Sequence, residues 1–193
     1  MTRLSQAERR EQIVAAARRV LVEQGVPAAT TRRIAAEAQV HVGLLHYHFA
    51  TKDELFAAVM SQITADLVDY VRTASPEEAT IQRCVHDLLT GAMAAEDSLP
   101  GIELAYLQLT IALMRSPELS ALATAKYQTL LDALAERFRA TPNPPEDPDQ
   151  LALVFLTVLD GLVVLTSALP EAGGLLAAAE RTILSGAGSA TTA

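Results

Sequence analysis

The chain has no tryptophan, one cysteine, and only four phenylalanines and four tyrosines among 193 residues. A single cysteine cannot close an internal disulfide and suits a reducing cytosol. With so few aromatics the apolar half of the chain is rich in Ala and Leu, which favours packed helices over strands. The first ten residues, MTRLSQAERR, hold no apolar run of the kind that directs export, so a cytoplasmic protein is expected. Several chemistries also lack their residues. There is no Cys-x-x-Cys, no Gly-rich phosphate loop and no paired-carboxylate motif. Cys84 and His86 are two apart, and on a helix they would point roughly 200° from each other, as would His46 and His48, so neither pair converges on one ion. No catalytic residue, metal site or cofactor is expected.

Charge is present but unevenly placed. Residues 1–60 hold 8 Lys+Arg against 6 Asp+Glu, a balance of +2, whereas the remainder holds 7 against 17, a balance of −10. This is a slightly basic head on an acidic body, an asymmetry that many acidic proteins show by chance and that carries little weight alone. A net charge of −8 argues against general coating of nucleic acid. The length allows a small domain followed by a larger one.

The most informative stretch is TTRRIAAEAQVHVGLLHYHFATKDELFAAVM, from Thr30 to Met60. It predicts a short helix, a tight turn, a second short helix and the start of a longer one. Ile34, Ala35, Ala38, Val40, Leu45 and Phe49 stand where a helix-turn-helix needs its core, and the small Ala35 lets two helices approach. Between them Arg32, Arg33, His46, Tyr47, His48 and Lys52 can reach phosphates or base edges when the second helix enters a major groove.

These residues resemble the DNA-binding domain of the TetR family of bacterial transcriptional repressors. The matching elements are a first helix ending in Gly (Arg9 to Gly25), a Thr30-Thr31 cap, Ile34-Ala35 with Ala38, then Tyr47-His48-Phe49 and Lys52 with Leu55. The resemblance is close over residues 9–60 and much weaker beyond, where the family shares helices rather than motifs. Three departures stand out. Gln39 occupies the turn position where the family usually has Gly, at a cost of roughly 1 kcal/mol if positive φ is kept. His41 replaces the usual Ser or Thr cap of the recognition helix. Val42, Leu44 and His46 replace Lys, Thr and Tyr, so this helix lacks Arg, Lys, Asn and Gln, the usual readers of guanine and adenine.

Beyond residue 60 the chain reads as helices. Lys52 to about Ala74 is the fourth. Ser75-Pro76-Glu77-Glu78 has the signs of a helix start, with N-cap, Pro at the first helical position and acids in the first turn. Leu99-Pro100-Gly101 breaks before a sixth helix, and Ser116-Pro117-Glu118 opens the seventh. Thr141 to Asp149, with four prolines, is a loop. The eighth helix, Leu151 to Leu169, is apolar all round and long enough for a bilayer, but Asp160 at its centre argues for a soluble reading in which a second copy covers one face. Asp160 has either a polar partner or a place facing a ligand cavity, the partner being favoured. Leu175 to Leu184 is the ninth helix, and residues 188–193 are expected to be a disordered tail.

The expected fold is therefore all-α with about nine helices: a three-helix DNA-binding domain over 1–50 and a dimerising, ligand-binding bundle over 51–187. The resemblance implies a homodimeric, ligand-responsive regulator, a repressor released by a small, largely apolar effector. Thr31, Arg32, Arg33, Tyr47, His48 and Lys52 would serve the DNA backbone, and Val42, Gly43, Leu44 and His46 would face the bases of a pseudo-palindromic operator in double-stranded DNA. Candidate effector walls are Leu67, Val71, Leu88 and Met93, with Tyr106, Leu109, Tyr127 and Phe155; each could equally be ordinary core. Gly161, Val164 and Leu165 are the candidate dimer contacts, after the family's use of its last two helices. The alternative is an all-helical interaction module without operator recognition.

Overall fold

The computed structural model describes residues 4–98, 102–115, 117, 119–169 and 174–186. Within them the chain forms α1 (Gln6–Ala28), α2 (Thr31–Glu37), α3 (Val42–His48), α4 (Lys52–Thr73), α5 (Ile81–Ser98), α6 (Ile102–Met114), α7 (Ser120–Arg139), α8 (Pro148–Ala168) and α9 (Leu175–Gly186), and no strand. The all-α expectation holds. The expected break at Leu99-Pro100-Gly101, most of the Ser116-Pro117-Glu118 start and the tail at 188–193 lie outside the described residues. By contact the chain divides into two compact units, Met1–Ile63 with Ala105–Lys126, and Thr64–Leu104 with Tyr127–Ala193. The boundary expected at residue 50 is one of function, which contact density does not test.

The first unit is built on α1. Ser5 and Glu8 form a reciprocal capping box at its start, and Ile13, Ala16, Ala17, Val20 and Leu21 put a buried stripe on one face. Gly25, at φ 77° and ψ 168°, ends the regular helix, and Val26 to Ala28 add a separate turn. The Thr30 hydroxyl caps α2 by accepting from the Arg33 N–H. Ala35 and Ala38 are buried, and their small side chains bring α2 against α1, where the Gln12 amide donates to the Ala38 carbonyl at 2.8 Å. Leu45 and Phe49 close the same core, with the Arg10 guanidinium 4.6 Å above the Phe49 ring. On the other side of α1, Arg18 donates to the Tyr106 hydroxyl of α6 at 2.6 Å.

The second unit packs α5, the latter parts of α4 and α7, α8 and α9 around Val85, Leu88, Leu134, Phe138, Phe155 and Ile183. The Phe138 and Phe155 rings meet edge to face at 5.9 Å. Two helix starts differ from the sequence expectation. Ser75-Pro76-Glu77-Glu78 is a turn, and α5 begins only at Ile81, with the Thr80 hydroxyl accepting from the Arg83 N–H. The reason is Arg137, a buried residue of α7. Its guanidinium takes the Ser75 hydroxyl at 2.8 Å and the Pro76 carbonyl at 2.6 Å, so neither serves a helix. Conversely α8 starts at Pro148, three residues early, because Asp147 caps it through the Gln150 N–H at 2.9 Å.

By length and composition α8 could cross a membrane, a test that core helices also pass. Leu151, Ala152, Phe155, Leu156, Leu162 and Val163 are buried in its own bundle. Asp160 has the partner expected of it, for its carboxylate accepts from the Tyr127 hydroxyl of α7 at 2.8 Å.

Candidate nucleic-acid interface

The turn between α2 and α3 keeps the geometry that the sequence puts under strain. Gln39 has φ 54°, the one positive φ outside glycine among the described residues. Val40 follows with its N–H on the Ala35 carbonyl, which folds the chain sharply into α3. His41 stands at the N-cap with extended backbone and no side-chain cap bond, so the first amides of α3 go without the help that Ser or Thr gives.

The expected DNA-facing residues lie on α2, α3 and the first turn of α4, all within the first unit. Arg32 and Arg33 are exposed, Arg33 reaching back to the Gln24 amide oxygen of α1. Thr31 is half-buried as the first residue of α2. On α3, Gly43 and His46 are exposed, and Val42, Leu44 and His48 are half-buried. Nothing lies within 4 Å of where a Gly43 side chain would start. Tyr47 is 68% exposed, the most exposed large apolar side chain described. Its ring meets His48 edge-on at 5.3 Å, and its hydroxyl accepts from the Gln6 amide at 2.9 Å. Lys52 lies with its ammonium 4.7 Å above the Phe56 ring.

Three of the nearby carboxylates are engaged within the protein. Glu37 pairs with Arg19 at 2.7 Å. Glu54 accepts from the Ala50 N–H at 2.8 Å while Thr51 caps the Glu54 N–H, fixing the start of α4. The Glu8 carboxyl is held below its ordinary range by the Ser5 backbone N–H and then the Ser5 hydroxyl. Sequence reasoning missed Gln6 and Gln24 as supports of Tyr47 and Arg33. The Ser5-x-x-Glu8 pattern could have placed the start of α1, and hence Gln6, three residues before Arg9.

In the second unit, six of the eight candidate effector walls share one core cluster. Val71, Leu88 and Phe155 are buried in it, and Leu67, Met93 and Tyr127 pack on it half-buried. Tyr106 and Leu109 belong to the first unit and are buried in it. Burial, then the hydrogen bond and charge of Asp160, push the Tyr127 phenol up. Burial, then the charge of Asp87, push the Tyr70 phenol up to about 12. Cys84 is buried and its thiol is pushed up by that burial, as for a packing residue. Gly161, Val164 and Leu165 are exposed on α8, together with Leu153, and Leu169 is exposed at its C-cap.

Comparison with known proteins gives concordant results. The pattern of the family described as "Bacterial regulatory proteins, tetR family" matches residues 13–59. The HTH-type transcriptional regulator BetI of Rhizobium meliloti is 30% identical over 156 residues, which cover 81% of this chain and 76% of that protein. The multidrug binding protein EbrR, solved with malachite green, is similar with a TM-score of 0.68 and 30% identity, over 93% of this chain and 98% of that one. A transcriptional regulator from Rhodococcus sp. Rha1 shares the fold with a TM-score of 0.77 at 20% identity, over 91% and 94% of the two chains.

Proposed function

The chain belongs to the TetR family of bacterial regulatory proteins, and from that premise we propose that it is a homodimeric repressor, cytoplasmic, which a small effector releases from a pseudo-palindromic operator. The family is one of DNA-binding transcriptional regulators, not enzymes. The observation that carries the DNA reading is Tyr47. A large aromatic side chain left mostly in water, yet held at its hydroxyl by Gln6, is a contact prepared for a partner. Arg32, Arg33 and Lys52 supply charge around it, with Thr31 and His48, and Val42, Gly43, Leu44 and His46 would face the bases.

The dimer reading is supported by α8. Leu153, Gly161, Val164 and Leu165 are exposed on the side away from its buried stripe, an apolar face that a second copy would cover. Two recognition helices would then meet half-sites about 34–36 Å apart or more. The effector reading is supported by the apolar cluster that holds Leu67, Val71, Leu88, Met93, Tyr127 and Phe155 in the second unit, and by EbrR, a multidrug binding protein solved with malachite green. Tyr106 and Leu109 remain candidates from the sequence. Helix α4 spans Lys52–Thr73, so one helix would carry both a DNA contact and the effector walls Leu67 and Val71. To switch the dimer almost fully, the effector must prefer the DNA-incompetent state by about 10⁴-fold.

Sedimentation equilibrium and a gel shift with DNA selected from a random duplex library test this reading. It requires a particle of twice 20.6 kDa and a selected site with two-fold symmetry. A folded monomer, or binding to every duplex alike, would overturn it.

A further inference from the structure

Three of the four histidines in the chain fall within eight residues, at His41, His46 and His48. Those eight residues are the recognition helix and its N-cap, and they contain no Lys, Arg, Asn or Gln. His41 and His46 are exposed, and neither makes a side-chain hydrogen bond or ion pair among the described residues. His48 is half-buried against the edge of Tyr47. We propose that these imidazoles are the cationic contacts of α3, and that operator binding takes up protons because the imidazolium form is the one that faces the DNA. The inference rests on the reading of α3 as the recognition helix.

The chemistry follows from what each form can offer. A neutral imidazole has one donor and one acceptor, whereas imidazolium has two donors and a charge. The groups it would meet, phosphate oxygens and the N7 and O6 of guanine, are acceptors. A duplex carries about one negative charge per 1.7 Å of its axis, and that field favours the charged ring. Histidine is the side chain whose ordinary titration falls between about pH 5 and 8, so the choice between forms lies within reach of cellular pH.

The protein's own charges leave these rings without an anionic partner among the described residues. The charged groups on α2, which packs on α3, and on the first turns of α1, tied to α3 by Gln6, and of α4, which follows α3 in the chain, are Arg32, Arg33 and Glu37, then Glu8, Arg9, Arg10 and Glu11, then Lys52, Asp53 and Glu54. Of the carboxylates, Glu8, Glu37 and Glu54 are engaged by Ser5, Arg19 and Ala50. No carboxylate pairs with His41, His46 or His48 among the described residues. In the free protein these groups balance, five cations against five carboxylates, with no carboxylate placed on the rings, whereas DNA adds anions alone.

The test uses the intact protein and a fluorescein-labelled duplex selected by it from a random library. Anisotropy titrations at fixed salt should show affinity falling by at least ~10-fold from pH 6 to pH 8, and a salt slope steeper at pH 6 by ~0.9 for each imidazolium on a phosphate. Calorimetry at pH 7 in two buffers of different ionisation heat should count net proton uptake. A His41→Gln/His46→Gln/His48→Gln variant should bind more weakly at pH 6 and vary less than ~3-fold over the same range. His86→Gln, a substitution on α5, should keep the parent's pH profile. Operator binding that is flat with pH and takes up no proton would overturn the inference while leaving the operator reading intact. So would a pH profile that survives the triple substitution. Absence of binding at every pH would overturn both.

Discussion

The side-chain amide of Gln6 donates to the hydroxyl of Tyr47 at 2.9 Å, joining the first turn of α1 to the recognition helix 41 residues later in the chain. Both groups are exposed, so the bond itself adds little to stability. Its effect is to fix where the hydroxyl stands before DNA arrives. On the proposed reading the Tyr47 hydroxyl donates to a charged phosphate, a bond of about 1.5–3 kcal/mol, so Tyr47→Phe should weaken operator binding by roughly 10- to 100-fold. Gln6→Ala keeps the hydroxyl but frees it, and should cost less. Thermal midpoints of both variants should stay within about 4 °C of the parent. Unchanged affinity in Tyr47→Phe would remove Tyr47 from the contact set.

Gln39 holds φ at 54°, where a side chain is strained and glycine is not. Gln39→Gly should raise the urea midpoint, with a gain of up to about 1 kcal/mol, less the entropy that glycine adds to the unfolded chain. The slope of unfolding free energy against urea should not change. A lower midpoint would mean that the Gln39 side chain makes a compensating contact.

The strain at Gln39 and the missing cap at His41 were legible in the sequence because both are local: a turn type demands a residue type within a few positions. The helix-turn-helix core was legible for the same reason, as Ile34, Ala35, Leu45 and Phe49 recur at spacings that a helix fixes. The start of α5 was not. Ser75-Pro76-Glu77-Glu78 carries every local sign of a start, but Arg137, 62 residues on, claims the Ser75 hydroxyl. The same signs at Asp147-Pro148-Asp149 do open α8, because nothing competes for the Asp147 carboxylate there. The hold of Gln6 on Tyr47 is also a long-range fact, set by packing that no spacing rule contains.

Gly91 of α5 lies under the ring of Tyr70 from α4. A Cβ at position 91 would fall against the Tyr70 hydroxyl and 2.9 Å from its Cζ. The ring cannot simply swing away, since its hydroxyl donates to the Asp87 or Leu88 carbonyl at 3.0 and 2.9 Å. Gly91→Ala should therefore destabilise the fold by about 1–3 kcal/mol, although alanine is the better helix former. In a Tyr70→Leu background the same substitution should cost much less. Equal costs in the two backgrounds, measured by urea denaturation, would show that the ring is not the obstacle.

Tyr70 and Tyr127 give the fold an alkaline limit. Each phenol is pushed above its ordinary value of 10, Tyr70 to about 12 and Tyr127 further, first by burial and then by the Asp87 and Asp160 carboxylates. The unfolded chain releases these protons near pH 10, while the folded chain keeps them. Their contribution is thus whole below pH 10, declines as pH rises above it, and for Tyr70 is spent by about pH 12. Stability from urea denaturation should fall over this window in the parent. Tyr127→Phe should lower stability at pH 8, by about 1–3 kcal/mol, because it leaves the Asp160 carboxylate half-buried without its donor. It should also make the alkaline decline shallower, since phenylalanine has no proton to lose. The lysines titrate in the same range but are common to parent and variant, so the difference between the two curves isolates Tyr127. Parallel curves from pH 9 to pH 11.5 would show that the hydroxyl is not held by Asp160 in solution.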